Sequence, residues 1–155
     1  TKIIYCKNYG NVRKHENTKF NFLGYEFRRR KVRNSKDNSL FVSFTPAISP
    51  ESKQSIRSEI RNSKLRIRSD LSLKQIAQWF NPKLSGWINY YGKYNKSSLY
   101  NVVGYFNRTL VSWAEHKYKK LKRHKTRAIE YIQGVAREHP QLFVHWRQGM
   151  VSIVV

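Results

Sequence analysis

The sequence predicts an α+β fold in which a short antiparallel β-hairpin precedes a mainly α-helical region. Residues 20–44 alternate in a strand-like way around a turn, whereas from residue 49 onward apolar side chains recur every three or four positions. Among the 155 residues, 39% are hydrophobic and 14% aromatic, which is enough for one core or two small ones. We therefore expect a β part over residues 1–46 and a helical part over residues 47–155.

The β part begins with Lys2–Cys6, a short segment of β-prone residues. The run Phe20–Arg33 reads as a strand, and the turn signal NSKDN leads from it into Leu40–Phe44, so the two runs predict a hairpin. Gly24 lies inside the first run, where a glycine marks either a β-bulge or a close approach of another backbone. Because an isolated hairpin is marginally stable, we expect a helix or further strands to cover it.

The first predicted helix has Ser49 as its N-cap, Pro50 at its first position, and Ile56 and Ile60 on one face. A second helix is predicted from about Ser72, and the Asn81–Pro82 pair is expected to end it and to start a third. The apolar positions of these two helices are Leu73, Ile76, Ala77 and Phe80, then Leu84, Trp87, Ile88 and Tyr91.

A long fourth helix is predicted after Gly92, with Ser97 or Ser98 as its cap. Its apolar positions are Leu99, Val102, Val103, Phe106, Leu110, Trp113, Ala114 and Leu121. A last helix is expected from Thr126 to His139, with Ile129, Ile132 and Val135 facing inward. Residues 142–146 and 151–155 are predicted to be short extended segments.

The charge balance indicates a polyanionic partner. The chain carries 31 Lys and Arg against 9 Asp and Glu, a formal net charge of +22, which argues against an ordinary enzyme of small metabolites. Nucleic acid is the first candidate, because binding it releases counterions. An anionic membrane surface is the second, but the termini lack a basic amphipathic helix. The first residues do not resemble a signal peptide, and no apolar run is long enough to span a membrane, so we expect a cytoplasmic protein. Because Cys6 is the single cysteine, we expect no internal disulfide.

Three basic clusters are candidates for phosphate contact. The alternative is that they are solvated faces, but acidic partners for i,i+4 pairs are nearly absent. The candidate residues are Arg28, Arg29 and Arg30; then Arg57, Arg61, Lys64, Arg66 and Arg68; then Lys117, Lys119, Lys120, Lys122 and Arg123. Arg57, Arg61 and Lys64 would share one helical face if the first helix continued. Lys119, Lys120 and Arg123 would likewise share one face of the basic helix that contains His116 and His124.

The aromatic residues between Trp79 and Tyr94 allow two interpretations. Trp87 and Tyr91 share helical spacing with Leu84, which is typical of core packing. Tyr90 and Tyr94 are the candidates for stacking on bases.

Residues that would carry bond chemistry are not grouped in the sequence. No two of the nine acids lie closer than eight positions, and neither a metal-ligand cluster nor a Gly-rich phosphate loop is visible. The sequence therefore predicts a binding protein with no catalytic residues, metal site or cofactor of its own. One alternative is a nucleic-acid-processing activity in this chain. Another is a sequence-specific DNA-binding module with a helix in the major groove.

Three stretches resemble one family. TKIIYC with FNFLGYEF is similar to the end of the palm in reverse transcriptases encoded by group II introns, and NPKLSGWINYYGKY with the following helix resembles their maturase-specific region. The tail HPQLFVHWRQG is similar to bacterial members. The most specific motif combines Pro82, Gly86, Trp87, Tyr90 and Tyr91.

The resemblance implies that this chain is a C-terminal fragment, because the family's catalytic Tyr-x-Asp-Asp motif precedes the matching part and the chain has no Asp-Asp pair. It implies that Gly24 and Tyr25 belong to a primer-gripping hairpin. The helices after Pro46 would form the thumb, or X domain, which holds intron RNA and the template–primer duplex for splicing and reverse transcription. The implied partners include the upstream palm and fingers, and the implied metal of the complete polymerase is Mg²⁺. An HNH endonuclease is not expected, since His and Cys are too few after Trp146.

Overall fold

The computed structural model describes residues 1–6, 10 and 13–153, and it confirms the α+β class. Within these residues, a three-stranded antiparallel sheet in the order β1-β2-β3 precedes five α-helices. The strands are β1 (Lys19–Phe22), β2 (Tyr25–Arg33) and β3 (Leu40–Ile48). The helices are α1 (Pro50–Asn62), α2 (Leu73–Tyr91), α3 (Tyr100–Lys117), α4 (Lys125–Glu138) and α5 (Val144–Arg147), with 3₁₀ turns at Leu65–Ile67, Lys96–Leu99 and Lys119–Leu121.

The predicted hairpin is confirmed between β2 and β3, but the run Phe20–Arg33 contains two strands where one was expected. Leu23 and Gly24 form the turn between them, with φ values of 50° and 81°. Positive φ at both central residues is the pattern of a type I′ hairpin turn, which matches the twist of the flanking strands. The prediction that Gly24 lies in a strand interior is therefore wrong. The predicted strand at Lys2–Cys6 is also absent from the described residues of that segment.

Helix α1 begins and packs as predicted. The Ser49 hydroxyl accepts a hydrogen bond from the Ser52 backbone N–H, and Pro50 occupies the first turn, where no intrahelical donor is needed. Ile56 and Ile60 are buried. The local signals and the tertiary packing agree here, which is why the sequence located this element.

Helix α2 continues through Pro82, so the prediction of two helices divided at Asn81–Pro82 is wrong. A proline inside a helix costs about 3 kcal/mol. Burial of Ile76, Phe80, Leu84 and Ile88 along one continuous face offsets that cost.

The chain between α3 and α4 departs from the predicted long basic helix. The α-helix ends at Lys117 and not near Leu121, and Arg123 has a left-handed φ of 64°, which a continuing helix does not allow. The start of α3 also differs, because neither Ser97 nor Ser98 caps it: α3 has no side-chain cap, and Asn95 caps the preceding 3₁₀ turn by accepting a hydrogen bond from the Ser98 N–H. Lys119, Lys120 and Arg123 therefore do not share a helical face.

The last helix, α4, confirms the prediction closely, with Ala128, Ile132 and Ala136 buried and Ile129 and Val135 partly buried. Residues 142–146 were predicted to be extended and instead lead into the short helix α5. No helix or strand is formed by residues 151–153, and residues 154–155 of the second predicted extended segment lie outside the described residues.

Helix α3 lies at the centre of the core. It packs against α1, α4 and the Leu65–Ile67 turn, while α2 packs against α5. Phe80, Phe106, Trp113 and Phe143 are fully buried there. These large rings make one contiguous apolar core for the helical part of the chain.

A buried asparagine joins α3 to residues 145–152. Asn107 accepts hydrogen bonds through Oδ1 from Trp146 Nε1 (3.2 Å) and His145 Nε2 (2.7 Å), and its Nδ2 donates to the Met150 and Ser152 carbonyls. Burial lowers the pKa of His145 to about 3, so the ring is neutral. Because its partner, Asn107 Oδ1, can only accept, the hydrogen bond assigns the proton to Nε2. The oxygen and the nitrogen of the buried Asn107 amide are thus both hydrogen-bonded to residues 145–152.

Substitutions of Trp87 and Tyr90 can test which side of helix α2 faces the core. Trp87 is half-buried against the core, while Tyr90 is 46% exposed and donates through its hydroxyl to the Leu23 carbonyl. We expect Trp87→Ala to lower the free energy of unfolding by about 2 to 3 kcal/mol, less than full burial would give, and Tyr90→Ala by about 1 kcal/mol. Urea denaturation measures both values. A larger loss for Tyr90→Ala would contradict this face assignment.

Candidate nucleic-acid interface

The segment that follows α1, residues 64–68, exposes three side chains while buried contacts hold its backbone in place. Lys64 adopts a left-handed conformation with φ of 54°, and Leu65 is buried behind it. Trp113 Nε1 donates a 2.9 Å hydrogen bond to the Arg68 carbonyl, which fixes the far end of the turn. As a result Lys64, Arg66 and Ile67 are exposed, and Ile67 keeps 48% of its accessible surface.

A groove runs between this turn and α3, with a volume of about 490 Å³. It is lined by Ile60, Arg61, Lys64, Leu65, Arg66, Ile67, Tyr105, Arg108, Thr109 and Ser112. None of these lining residues is acidic, and four of them are basic. Four cations around one concave surface produce a positive potential that attracts a polyanion.

A second depression, of about 330 Å³, continues this groove toward the end of α3. It shares Arg66, Ile67 and Ser112 with the first and adds Glu115, His116, Lys122 and Arg123. The two depressions together are called the basic groove below. Its cationic side chains come from residues 61–66 at the end of α1 and the following turn, from α3, and from the segment before α4, so the fold brings together three parts of the chain that are distant in sequence.

Five of the predicted phosphate-contact residues meet in the basic groove: Arg61, Lys64, Arg66, Lys122 and Arg123. Sequence reasoning missed Arg108. Its spacing to Tyr105 and Ser112 marks the polar face of α3, and this periodicity could have identified it.

Other predicted contact residues have intramolecular partners. Arg68 pairs with Asp70 through two 3.0 Å contacts, which lower the pKa of that carboxyl, and its guanidinium lies 5.8 Å from the Trp79 ring centroid. Lys117 Nζ donates to the Ser69 and Leu71 carbonyls. These cations stabilise the turn beside the groove. Arg57, Lys119 and Lys120 lie outside the groove lining.

The cluster on β2 is organised around Glu26, a buried carboxylate. Arg28 Nε lies 2.9 Å from it, Lys19 Nζ 3.2 Å and Arg30 3.6 Å. Arg30 also donates to the Thr45 carbonyl, and burial together with the neighbouring Arg28 lowers its pKa. Arg28 and Arg30 thus have a structural role in the sheet. Arg29 lies on the opposite face of the strand, beside Phe44.

The turn at Gly24 docks onto the helices. The Gly24 carbonyl accepts hydrogen bonds from the Ser49 N–H (2.9 Å) and the Ser52 hydroxyl (3.0 Å). A Cβ at Gly24 would lie 2.9 Å from Ser52 Oγ and 3.1 Å from the Tyr91 hydroxyl. The neighbours that leave no room for a side chain at this glycine are thus side chains of α1 and α2, and close approach of a primer backbone stays a prediction.

Tyr25 joins this junction from the sheet side. It is buried among the rings of Tyr90, Tyr91 and Tyr94, and its hydroxyl donates to the Tyr90 carbonyl. Burial, with a smaller contribution from these tyrosines, raises the pKa of Tyr25. Tyr94 is 61% exposed, so Tyr90 and Tyr94 remain the accessible rings of the group.

Within the described residues, no group of three His, Cys, Asp or Glu side chains lies close enough to hold a metal ion. No helix in that part of the chain is both long and apolar enough to cross a membrane.

The comparisons with known proteins identify one family. The profile of the group II intron maturase-specific domain matches residues 53–130, half of the chain. That range begins in α1 and ends within α4, so it includes every residue that lines the basic groove. No curated protein and no solved structure gives a significant match.

Proposed function

The chain belongs to the family of the group II intron maturase-specific domain, and on that premise we propose that it binds intron RNA along the basic groove. The observation that carries the proposal is the convergence of six cations, from three parts of the chain, on one continuous concave surface. The cations are Arg61, Lys64, Arg66, Arg108, Lys122 and Arg123.

The chemistry of the groove suits an RNA backbone. Guanidinium and ammonium groups contact phosphate oxygens, and such contacts position the nucleic acid without reading its sequence. The hydroxyls of Thr109 and Ser112 lie between the cations, where they can meet ribose 2′-hydroxyls. We therefore expect selection by the shape of folded RNA more than by base sequence.

In the complete protein, this binding would support splicing and, through the template–primer duplex, reverse transcription. The palm and fingers would supply the polymerase site. A sequence-specific DNA-binding module is the alternative. Competition between structured RNA and duplex DNA at one salt concentration separates the two, and a preference for the duplex would overturn the RNA assignment.

The salt dependence of RNA binding tests the groove directly. Six phosphate contacts predict a slope of roughly −4 to −5 in a plot of log K against log salt concentration. The double variant Arg61→Glu, Arg66→Glu should make that slope shallower by about 1.5 and weaken binding to many structured RNAs alike. Filter binding over a salt series gives both quantities.

The matched control is Lys119→Glu, Lys120→Glu, which changes the net charge equally at exposed residues outside the groove. We expect a smaller loss of affinity from it. Equal losses would mean that binding follows net charge and not the groove. A slope near zero in the unaltered protein would overturn RNA binding itself. A primer-extension assay tests the enzyme alternative, and we expect no extension by this chain alone.

A further inference from the structure

One face of the β-sheet has four phenylalanines: Phe20, Phe27 and Phe44, whose rings form a cluster, and Phe22, which is opposite Tyr25. Phe20 is opposite Phe27 in the β1–β2 register, and Arg29 is opposite Phe44 in the β2–β3 register, which puts all three rings on the same face. Phe20 and Phe27 are stacked at 4.8 Å with an interplanar angle of 2°, and Phe20 lies 6.1 Å from Phe44. These three residues are called the phenylalanine face below.

The rings are accessible from outside the sheet. Phe20 keeps 39% of its accessible surface, and Phe27 and Phe44 are half-buried. The other face of the sheet is directed toward α1, since the Asn21 side chain on it donates to Glu51. The phenylalanine face is thus on the side of the sheet away from α1. At one end of that same side, Tyr25 and Ile48 are buried, and Tyr25 contacts Tyr90 and Tyr91 of α2, so the helices cover this end and the three rings lie beyond it.

The surroundings of the rings are cationic. Arg29, Lys31 and Arg33 follow Phe27 at alternate positions of β2, so they lie on the same face. Within the three described strands, that face contains no acidic residue; Glu26 belongs to the other face. An aromatic surface next to a row of positive charge complements a ligand with planar apolar groups and a negative backbone.

We propose that the phenylalanine face binds an unpaired nucleic-acid strand, with bases stacked on the phenylalanine rings and phosphates near Lys31 and Arg33. Stacking on aromatic rings tolerates any base, because every base has a π-face. Charge complementarity favours this occupant over an apolar polypeptide segment, which would have to cover the cations beside the rings. The site is separate from the basic groove and does not depend on it.

The experiment measures the affinity of the whole chain for a short fluorescein-labelled oligouridylate, which forms little structure. The test variant is Phe20→Leu, Phe27→Leu, since leucine keeps the apolar character and loses the π-face. We expect a loss of affinity of about tenfold or more. The matched control, Phe41→Leu, changes a 48% exposed phenylalanine on the opposite face of the same sheet, and we expect a change of less than about twofold.

Two results would overturn the proposal: unchanged oligouridylate affinity in the Phe20→Leu, Phe27→Leu variant, or an equal loss in Phe41→Leu. Unchanged affinity is the result expected if the face instead binds a polypeptide, because leucine keeps the apolar surface that such a partner would contact. Circular dichroism checks that each variant is folded. The groove variant Arg61→Glu, Arg66→Glu separates this proposal from the previous one, because it should weaken structured RNA more than oligouridylate, whereas the phenylalanine variant should do the reverse.

Discussion

Asn107→Ala is expected to lower the free energy of unfolding by roughly 3 to 5 kcal/mol, a large part of the stability of a domain of this size. The substitution removes the acceptor of His145 Nε2 and Trp146 Nε1, and it removes the donor of the Met150 carbonyl. These groups are buried, so water does not replace the lost partner. Chemical denaturation monitored by tryptophan fluorescence measures the effect.

A second asparagine provides the control. Asn89 lies on the exposed side of α2, and its side chain makes one long contact, 3.4 Å, to Ser85. We expect Asn89→Ala to change the free energy of unfolding by less than about 0.5 kcal/mol. Similar effects of the two substitutions would show that the hydrogen bonds of Asn107 are not a source of stability.

Gly24→Val is expected to destabilise the chain by about 3 to 5 kcal/mol. A φ of 81° strains any branched side chain, and the added atoms would meet Ser52 and Tyr91 at distances below normal contact. The turn would then separate from the helices, and the hydrogen bonds that the Gly24 carbonyl accepts would be lost. Thermal unfolding measures this loss.

Gly149→Val isolates the backbone contribution, because Gly149 has a similar φ of 78° and an added Cβ there would meet nothing within 4 Å. We expect it to cost about 1 to 3 kcal/mol, less than Gly24→Val. Equal losses would contradict a close contact at Gly24. In a complete polymerase, slower primer extension by a Gly24 variant that keeps its stability would support the predicted primer contact.

The sequence predicted those elements in which local and tertiary preferences agree. Helix α1 has its cap, its proline and its two buried isoleucines where local rules place them. At Pro82 the local signal for a helix boundary was misleading, because packing along the whole inner face of α2 outweighed the cost of the proline. The turn at Leu23 was missed because leucine is an unusual residue at positive φ, and the hydrogen bond that holds it comes from Tyr90, far along the chain.

The sequence predicted most of the cations of the basic groove, but it did not predict how the fold places them or which other cations have intramolecular partners. Five groove cations were named from their clusters, since excess basic charge without acidic partners is visible in a sequence. Charge clusters alone could not show that Lys117 and Arg68 have intramolecular partners, because the Ser69 and Leu71 carbonyls and the Trp79 ring are placed by the fold. Arg108 was missed for the converse reason: it stands outside the clusters and joins them only through the packing of α3.

The hydrogen bonds of Asn107 have a consequence for synthesis on the ribosome. Helix α3 leaves the exit tunnel well before residues 143–152, which cover its central face and satisfy its buried amide. During that interval Phe106 lacks Phe143 and His145 as packing neighbours, and an apolar surface remains open to other nascent chains. The core around α3 therefore closes late in translation, and a premature stop before Phe143 would release a polypeptide prone to aggregation.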